Sequence, residues 1–234
     1  MKRTSEALVS VSTPKRAFRI PEIVPDAPQR KRVCFSCKRE GHFSSVCTKM
    51  LRDVTPRCRI DLGKSLSAVV FPSKREATVH LRYYGETDDK PTQDGIALTL
   101  SRWEELQRSA NQIDRAVKVY DDPDEDSSFN HHLGGNWYVS VTPGYRCVNI
   151  RRFWLPEDSE DLRATRDGIA LGFQQWEKLM DAFDDVVADV PELRDVIPCL
   201  MRGDHQNQLG MLSCPECNPN DYTNWKCHVF WTGI

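Results

Sequence analysis

Hydrophobic and polar positions alternate with a two-residue period in several short stretches after residue 58. Residues 66–71 and 76–84 show this alternation, and residues 137–142 and 145–154 show it again, with many β-branched side chains. Such alternation is typical of strands that bury one face. Pro72–Lys74 and Thr142–Gly144 predict the hairpin turns between these strands. A further short strand is predicted over 95–100 and over 168–173.

A helix is predicted after each group of strands, because the spacing of apolar residues changes there to a helical period. Ser101 is the predicted N-cap of the first helix, with Glu104 completing a capping box. Its apolar residues are Trp103, Leu106, Ile113 and Val117. The second helix carries a broad apolar stripe of Trp176, Leu179, Met180, Phe183, Val186 and Val187. We expect both tryptophans to lie in the core.

The pentamer Asp-Gly-Ile-Ala-Leu occurs twice, at 94–98 and 167–171, and a tryptophan follows each copy at the same offset. This recurrence indicates a duplicated unit, with repeats over 58–119 and 129–195. The predicted fold is α+β, with two ββββα units that each contain an antiparallel curved sheet and one helix. Because a unit of about sixty residues has a marginal core, we expect the units to pair through their helices as an intramolecular pseudo-dimer. The outer face of each sheet would then be open.

Charge divides the chain into a basic beginning and an acidic remainder. Residues 1–59 hold fourteen Lys and Arg against five Asp and Glu, a net charge of +9, and the other residues sum to −11. Residues 1–32 contain several prolines and no apolar period, which predicts a disordered basic arm suited to nucleic acid. Residues 120–128 are a predicted acidic linker. No apolar run is long enough for a transmembrane helix, so no membrane partner is expected.

Three cysteines and one histidine form a compact cluster in a predicted module over 33–48. Cys34, Cys37, His42 and Cys47 follow the spacing C-x2-C-x4-H-x4-C. Zn²⁺ prefers four tetrahedral nitrogen and sulfur ligands, and two tight loops of this length can surround one ion. Because no apolar stretch follows the first basic residues, no export signal is expected, and clustered cysteines then favour metal binding over disulfides. The sequence therefore predicts a zinc site here.

This stretch closely resembles the CCHC zinc knuckles of retroviral nucleocapsid proteins and of cellular RNA and DNA binders. The resemblance implies that Phe35 and Phe43 form a platform for an unpaired base, and that Lys38 and Arg39 contact phosphates. The alternative is that the two phenylalanines only cover the metal.

The repeats resemble the positive cofactor four family of transcriptional coactivators, which bind single-stranded DNA. The stretches that carry the resemblance include IDLGKSLSAVVF, LGGNWYVSV, VNIRRFW and RDGIALGFQQWEKL. Family members are usually homodimers paired through their helices, so a tandem copy looks like that dimer in one chain. The resemblance implies nucleic-acid contacts from Arg82, Tyr84, Lys90, Arg151, Arg152, Trp154, Arg163 and Arg166. Asp94 and Asp167 replace a family lysine, and Gly85 stands where the second repeat has Trp154, which favours the second repeat as the binder.

Residues 199–234 form a second region rich in cysteine and histidine. Cys214 and Cys217 make a C-x2-C turn that is typical of zinc sites. Cys227 and either His205 or His228 are predicted to complete four ligands, which gives a second Zn²⁺. A metal-free buried cysteine cluster is the alternative.

These patterns predict a non-enzymatic, nuclear protein that binds single-stranded nucleic acid, with DNA favoured over RNA, in transcription or replication. A replication or packaging factor of a virus or mobile element is an alternative. Two others are an interaction scaffold and a metal-dependent nuclease formed by residues 199–234, although the catalytic spacing of such nucleases is absent.

Overall fold

The computed structural model describes residues 34, 47, 51, 54–73, 76–122, 127–156, 159, 161–205 and 208–220. The predicted basic arm, most of the predicted knuckle and residues 221–234 therefore lie outside the described residues. The described part is α+β, with two four-stranded antiparallel sheets that are each followed by a helix. None of its helices combines the length and the apolar character needed to cross a membrane.

The first sheet has the strand order β1-β2-β3-β4, and the second has the order β5-β6-β7-β8. The first repeat contains β1 (Cys58–Gly63), β2 (Leu66–Phe71), β3 (Thr78–Tyr84), β4 (Pro91–Thr99) and helix α1 (Leu100–Lys118). The second contains β5 (Phe129–Gly134), β6 (Trp137–Thr142), β7 (Tyr145–Trp154), β8 (Arg163–Gly172), α2 (Phe173–Asp181) and α3 (Phe183–Asp189). Short 3-10 turns at Pro191–Asp195, Cys199–Met201 and Gly203–His205 lead to α4 (Gln208–Ser213).

The last strand of each repeat begins earlier than the sequence pattern predicted. Thr92 Oγ1 donates to the Tyr83 carbonyl at 2.9 Å, and Thr165 Oγ1 donates to the Arg152 carbonyl at 2.8 Å. These side-chain hydrogen bonds hold the first residues of β4 and β8 against β3 and β7. Those residues precede the apolar Ile-Ala-Leu segment and have no hydrophobic periodicity that would predict a strand.

The helix boundaries also differ from prediction. The N-cap of α1 is Thr99, not Ser101, and the Thr99 hydroxyl accepts from the Arg102 N–H. Ser101 lies inside the first helical turn because the chain leaves β4 directly into the helix. The predicted second helix is divided at Ala182 into α2 and α3.

The two repeats share one hydrophobic core. Trp103 and Trp176 are 0% and 1% exposed, which confirms the prediction that both are core residues. The Phe183 ring contacts both indoles edge to face, with centroid distances of 5.2 Å to Trp103 and 6.3 Å to Trp176. Helix α1 packs against β5 and helix α2 packs against β1, so each helix reaches the first strand of the other repeat.

The outer face of the first sheet is covered rather than open. Val69, Phe71 and Tyr84 are buried there, and Leu51 and Val54 pack against them. The outer face of the second sheet is covered in part as well, by a cluster of Phe153, Leu162 and Ala164 with the partly buried Tyr138 and Leu155. The covering residues come from segments that the strand pattern does not include, since Leu51 and Val54 precede β1, and Leu155 and Leu162 lie between β7 and β8.

The glycine of each Asp-Gly-Ile-Ala-Leu copy lies directly opposite an arginine of the neighbouring strand. Gly95 pairs with Arg82, and Gly168 pairs with Arg151. A Cβ atom at Gly95 would lie 2.3 Å from the Leu81 carbonyl oxygen and 2.8 Å from Arg82 Cα. At Gly168 it would lie 2.9 Å from Arg151 Cγ. The glycine of the repeated pentamer is thus explained by the close approach of the strand that carries the arginine.

We expect Gly95→Ala to lower the free energy of unfolding by about 1–3 kcal/mol, because its Cβ meets main-chain atoms that cannot move aside and its φ of +144° suits glycine. Urea unfolding followed by tryptophan fluorescence measures this change. Gly203→Ala is the control, since a Cβ there has nothing within 4 Å. Equal unfolding midpoints for the two variants would contradict the packing argument.

Candidate metal centre and nucleic-acid interface

Four side chains near the end of the described chain converge on one point. Their ligand atoms all lie within 4.8 Å of one another, and the residues are Cys199, His205, Cys214 and Cys217. The Cys199 sulfur is 3.4 Å from both His205 Nδ1 and the Cys214 sulfur, and the Cys217 sulfur is 3.4 Å from His205 Nδ1. This Cys3His group could bind a metal such as zinc.

The spacing of these atoms fits a tetrahedral ion. Zinc–sulfur bonds of about 2.3 Å and zinc–nitrogen bonds of about 2.0 Å place two tetrahedral sulfurs about 3.8 Å apart, and a sulfur and a nitrogen about 3.5 Å apart. The observed separations of 3.4 Å are close to these values. In the ligand order C-x5-H-x8-C-x2-C, two 3-10 turns hold Cys199 and His205, and the turn after α4 holds Cys214 and Cys217.

The thiols of this group are not equivalent. Burial raises the pKa of Cys199 and of Cys217, and the neighbouring thiols raise that of Cys217 further. For Cys214, burial acts to raise the pKa, but the backbone N–H groups of Cys217 and Glu216 lower it overall. Cys214 therefore forms a thiolate most readily, and a metal would have to displace the protons of the other two.

The sequence predicts Cys214 and Cys217 as ligands and His205 as one of two alternative histidines. It misses Cys199, which is separated from the C-x2-C turn by fourteen residues. Folding of the 3-10 turns closes that gap. Cys227 and His228, the other candidate ligands, lie outside the described residues.

Two residues of the predicted knuckle are described. Cys34 and Cys47 are both 1% exposed. Cys37 and His42 lie outside the described residues, as do the predicted contact residues Phe35, Lys38, Arg39 and Phe43. The zinc site of the knuckle therefore stays a prediction.

The candidate contact residues of the first repeat are occupied by internal interactions. Arg82 is 0% exposed and donates to the Thr92 carbonyl at 2.7 Å, and burial lowers its pKa to about 10. The Arg59 guanidinium lies 3.7 Å from the ring centre of Tyr84, which is 8% exposed. Lys90 is exposed but pairs with Asp88 at 3.1 Å. Arg82 and Tyr84 thus present little surface to a ligand in this structure.

The candidate contact residues of the second repeat are all partly or fully exposed. Arg151 repeats the bond of Arg82, donating to the Thr165 carbonyl at 2.7 Å, but it is only partly buried, and burial lowers its pKa. Arg152, Trp154 and Arg163 are partly exposed, and Arg166 is exposed. Among the described residues, neither Arg163 nor Arg166 has a carboxylate within salt-bridge distance.

Aromatic and arginine side chains alternate across one face of the second sheet. Trp137 on β6 lies opposite Arg152 on β7, and Trp154 on β7 lies opposite Arg163 on β8. Opposite residues of antiparallel strands share a face, as do residues two apart in a strand. We call these four residues the aromatic–arginine row. Trp137 packs partly against the shared core, and its place in the row follows from a strand register that the sequence pattern does not resolve.

No protein-family model matches the chain, and no curated protein matches it either.

We expect Cys199→Ser to remove one bound zinc per chain, because three ligands hold the ion much less tightly than four. Native mass spectrometry of the full chain measures the stoichiometry. Cys58→Ser is the control, since Cys58 lies in β1 and outside the Cys3His group. Loss of zinc from Cys227→Ser but not from Cys199→Ser would instead support the ligand set predicted from sequence.

Proposed function

We propose that this chain binds single-stranded nucleic acid, with DNA favoured, through the aromatic–arginine row of its second sheet. The observation that carries the proposal is the register that sets Trp137 opposite Arg152 and Trp154 opposite Arg163. Single strands are bound by aromatic surfaces that stack on bases, combined with cations that follow the phosphates. The row supplies both groups in alternation on partly exposed positions.

Single strands are favoured over duplexes for a physical reason. Stacking on an indole ring requires an unpaired base, because the bases of a duplex are already stacked on one another. A surface that combines aromatic groups with cations therefore gains stacking energy from a single strand, whereas a duplex offers it only phosphate contacts.

The two repeats take different parts in this proposal. They correspond to an internal pseudo-dimer in which the helices pair and the second sheet is the principal binding half. In the first repeat, Leu66, Tyr83, Gly85 and Lys90 stand at the positions of the row, so only Lys90 keeps the kind of group found in the second repeat. The first repeat thus acts mainly as the partner that completes the shared core.

The remaining modules add to this interaction. The basic arm and the zinc knuckle, joined to the sheets in one chain, raise the effective concentration of each site for a strand already held by another. We infer action in transcription or replication in a nucleus, by binding rather than catalysis. RNA as the ligand, and a replication or packaging role for a virus or mobile element, remain within the same binding chemistry.

An interaction scaffold is the second candidate function. The observation that favours it is the engagement of Arg82, Tyr84 and Lys90 within the first repeat, together with the exposed Asp94 and Asp167 beside the two strand arginines. A protein with this role would have similar, weak affinity for every nucleic acid.

We expect Trp154→Ala to weaken binding to a labelled single-stranded oligonucleotide about tenfold, because one stacked base contributes about 1–3 kcal/mol. We expect Arg163→Ala to weaken binding too, and to reduce the slope of log affinity against log salt by about 0.7, the value for one phosphate contact on a single strand. Fluorescence anisotropy of the full chain at several salt concentrations measures both effects.

Lys90→Ala is the matched control, because Lys90 occupies the position of Arg163 in the first repeat and is paired with Asp88. Its effect should be clearly smaller than that of Arg163→Ala. Unchanged affinity in both Trp154→Ala and Arg163→Ala would reject the row as the binding surface and favour the scaffold. Equal affinity of the unmodified chain for duplex and single strand would have the same consequence.

A further inference from the structure

The first hairpins of the two repeats have the same backbone conformation but different residues. Gly63, Lys64 and Ser65 have φ angles of 87°, 54° and 60°. Their counterparts in the second repeat are Gly134, Gly135 and Asn136, with φ angles of 114°, 54° and 67°. Since Lys64 adopts the same φ as Gly135, the turn itself does not require glycine at position 135.

A contact with Glu216 supplies the requirement. A Cβ atom at Gly135 would lie 2.3 Å from Arg102 Nη2 and 3.0 Å from Glu216 Oε2. The Gly135 N–H donates to the Glu216 carbonyl at 2.7 Å. A side chain at position 135 would therefore displace the Arg102 guanidinium or the Glu216 carboxylate from this contact.

Arg102 and Asn136 complete the same contact. The Arg102 guanidinium donates to both carboxylate oxygens of Glu216 at 2.7–3.2 Å, and its side chain is only 16% exposed. Asn136 and Asn220 donate to each other through their amides, at 3.2 Å and 2.9 Å. A two-point arginine–carboxylate pair of this kind fixes orientation as well as position.

The symmetry-related contact at the hairpin of the first repeat lacks this set of residues. Gln175 stands at the position of Arg102, Lys64 at that of Gly135, and Ser65 at that of Asn136. Gln175 Nε2 instead donates directly to the Gly63 carbonyl at 3.1 Å, within the pair of repeats. Three differences between the repeats therefore coincide with one contact surface.

Glu216 lies between the candidate metal ligands Cys214 and Cys217 in sequence. Cys199, Leu200 and Cys217 also line a small cavity together with His132 and Gly134. The atoms that would hold a metal and the atoms that contact the hairpin are thus parts of one loop.

We propose that Arg102 and residues 134–136 form a docking surface whose partner is the metal-loaded loop of residues 199–220. A tetrahedral ion fixes the turn that presents the Glu216 carboxylate and carbonyl, so metal binding and docking strengthen each other reciprocally. Three sulfur ligands select a thiolate-binding ion such as Zn²⁺ rather than Mg²⁺ or Ca²⁺. Docking joins this loop to both repeats at once, since Arg102 belongs to the first repeat and the hairpin to the second.

The docking surface is continuous with the aromatic–arginine row, because Trp137 directly follows Asn136. Zinc at the Cys3His group would thereby hold the start of β6, and with it the Trp137 side chain, in place. This last consequence rests on the proposed nucleic-acid function, whereas the docking itself does not.

Hydrogen–deuterium exchange of the full chain, read by mass spectrometry without nucleic acid, tests the docking. We expect peptides covering 130–138 and 199–220 to exchange about tenfold faster after zinc is removed by a chelator, a factor within the usual range of coupling between sites. Cys214→Ser in the presence of zinc should reproduce the effect, which assigns it to this group rather than to the predicted knuckle.

The repeats themselves provide matched variants. Gly135→Lys and Arg102→Gln each introduce the residue of the other repeat, which the same backbone already accepts there, and both should accelerate exchange in 199–220 with zinc present. Lys64→Gly makes the reverse change in the first repeat and should leave 199–220 unaffected. Exchange of 130–138 that is identical with and without zinc, or unaltered protection of 199–220 in Gly135→Lys, would overturn the proposal.

Anisotropy with single-stranded DNA on the same samples separates the two proposals. Zinc-dependent exchange without any DNA binding supports docking and rejects the nucleic-acid function. DNA binding together with exchange that is the same with and without zinc supports the nucleic-acid function and rejects the docking.

Discussion

Trp103 and Trp176 are buried together against Phe183 where the two repeats meet. A unit of about sixty residues buries too little apolar surface to be stable by a wide margin, and here each helix completes its burial on the other repeat. The positions of both sheets, of the hairpins and of the loop at 199–220 all follow from this shared core. Loss of the inter-repeat contact would leave two half-covered sheets rather than one domain.

Duplication under this constraint permits the halves to diverge on their outer surfaces. The arginine–glycine pairs Arg82–Gly95 and Arg151–Gly168 are retained in both repeats because they shape the last strands. Around them the first repeat has closed its surface, with Tyr84 under Arg59 and hydrophobic residues from the preceding segment on the sheet. The second repeat also buries Phe153 at the position of Tyr84, but it keeps Arg151 and Trp154 partly exposed. A symmetric framework thus carries an asymmetric surface.

The same asymmetry appears at the hairpins. Gln175 donates a hydrogen bond to the Gly63 turn, which is a direct contact between the two repeats. The Gly135 turn instead donates to Glu216 of the Cys3His loop. The Arg102–Glu216 pair is partly shielded from water, so it is less weakened by solvent than an exposed pair. The candidate metal ligands and the second hairpin are therefore connected through Glu216, which lies between two of those candidates in sequence and contacts Arg102 and Gly135.

The sequence by itself determined the elements that depend on local periodicity and on exact recurrence. Strand alternation located β2, β6 and β7, and the repeated pentamer with its tryptophan identified the duplication and the core indoles. The C-x2-C spacing likewise predicted Cys214 and Cys217 as ligands, because a tight turn of this length can bring two cysteines to one ion. Tertiary structure alone decided the rest. Cys199 joined the metal group through 3-10 turns that have no sequence period, and Trp137 joined Arg152 through strand register. Arg82 was removed from solvent by packing against its sheet, since burial depends on what covers a residue and not on its neighbours in sequence.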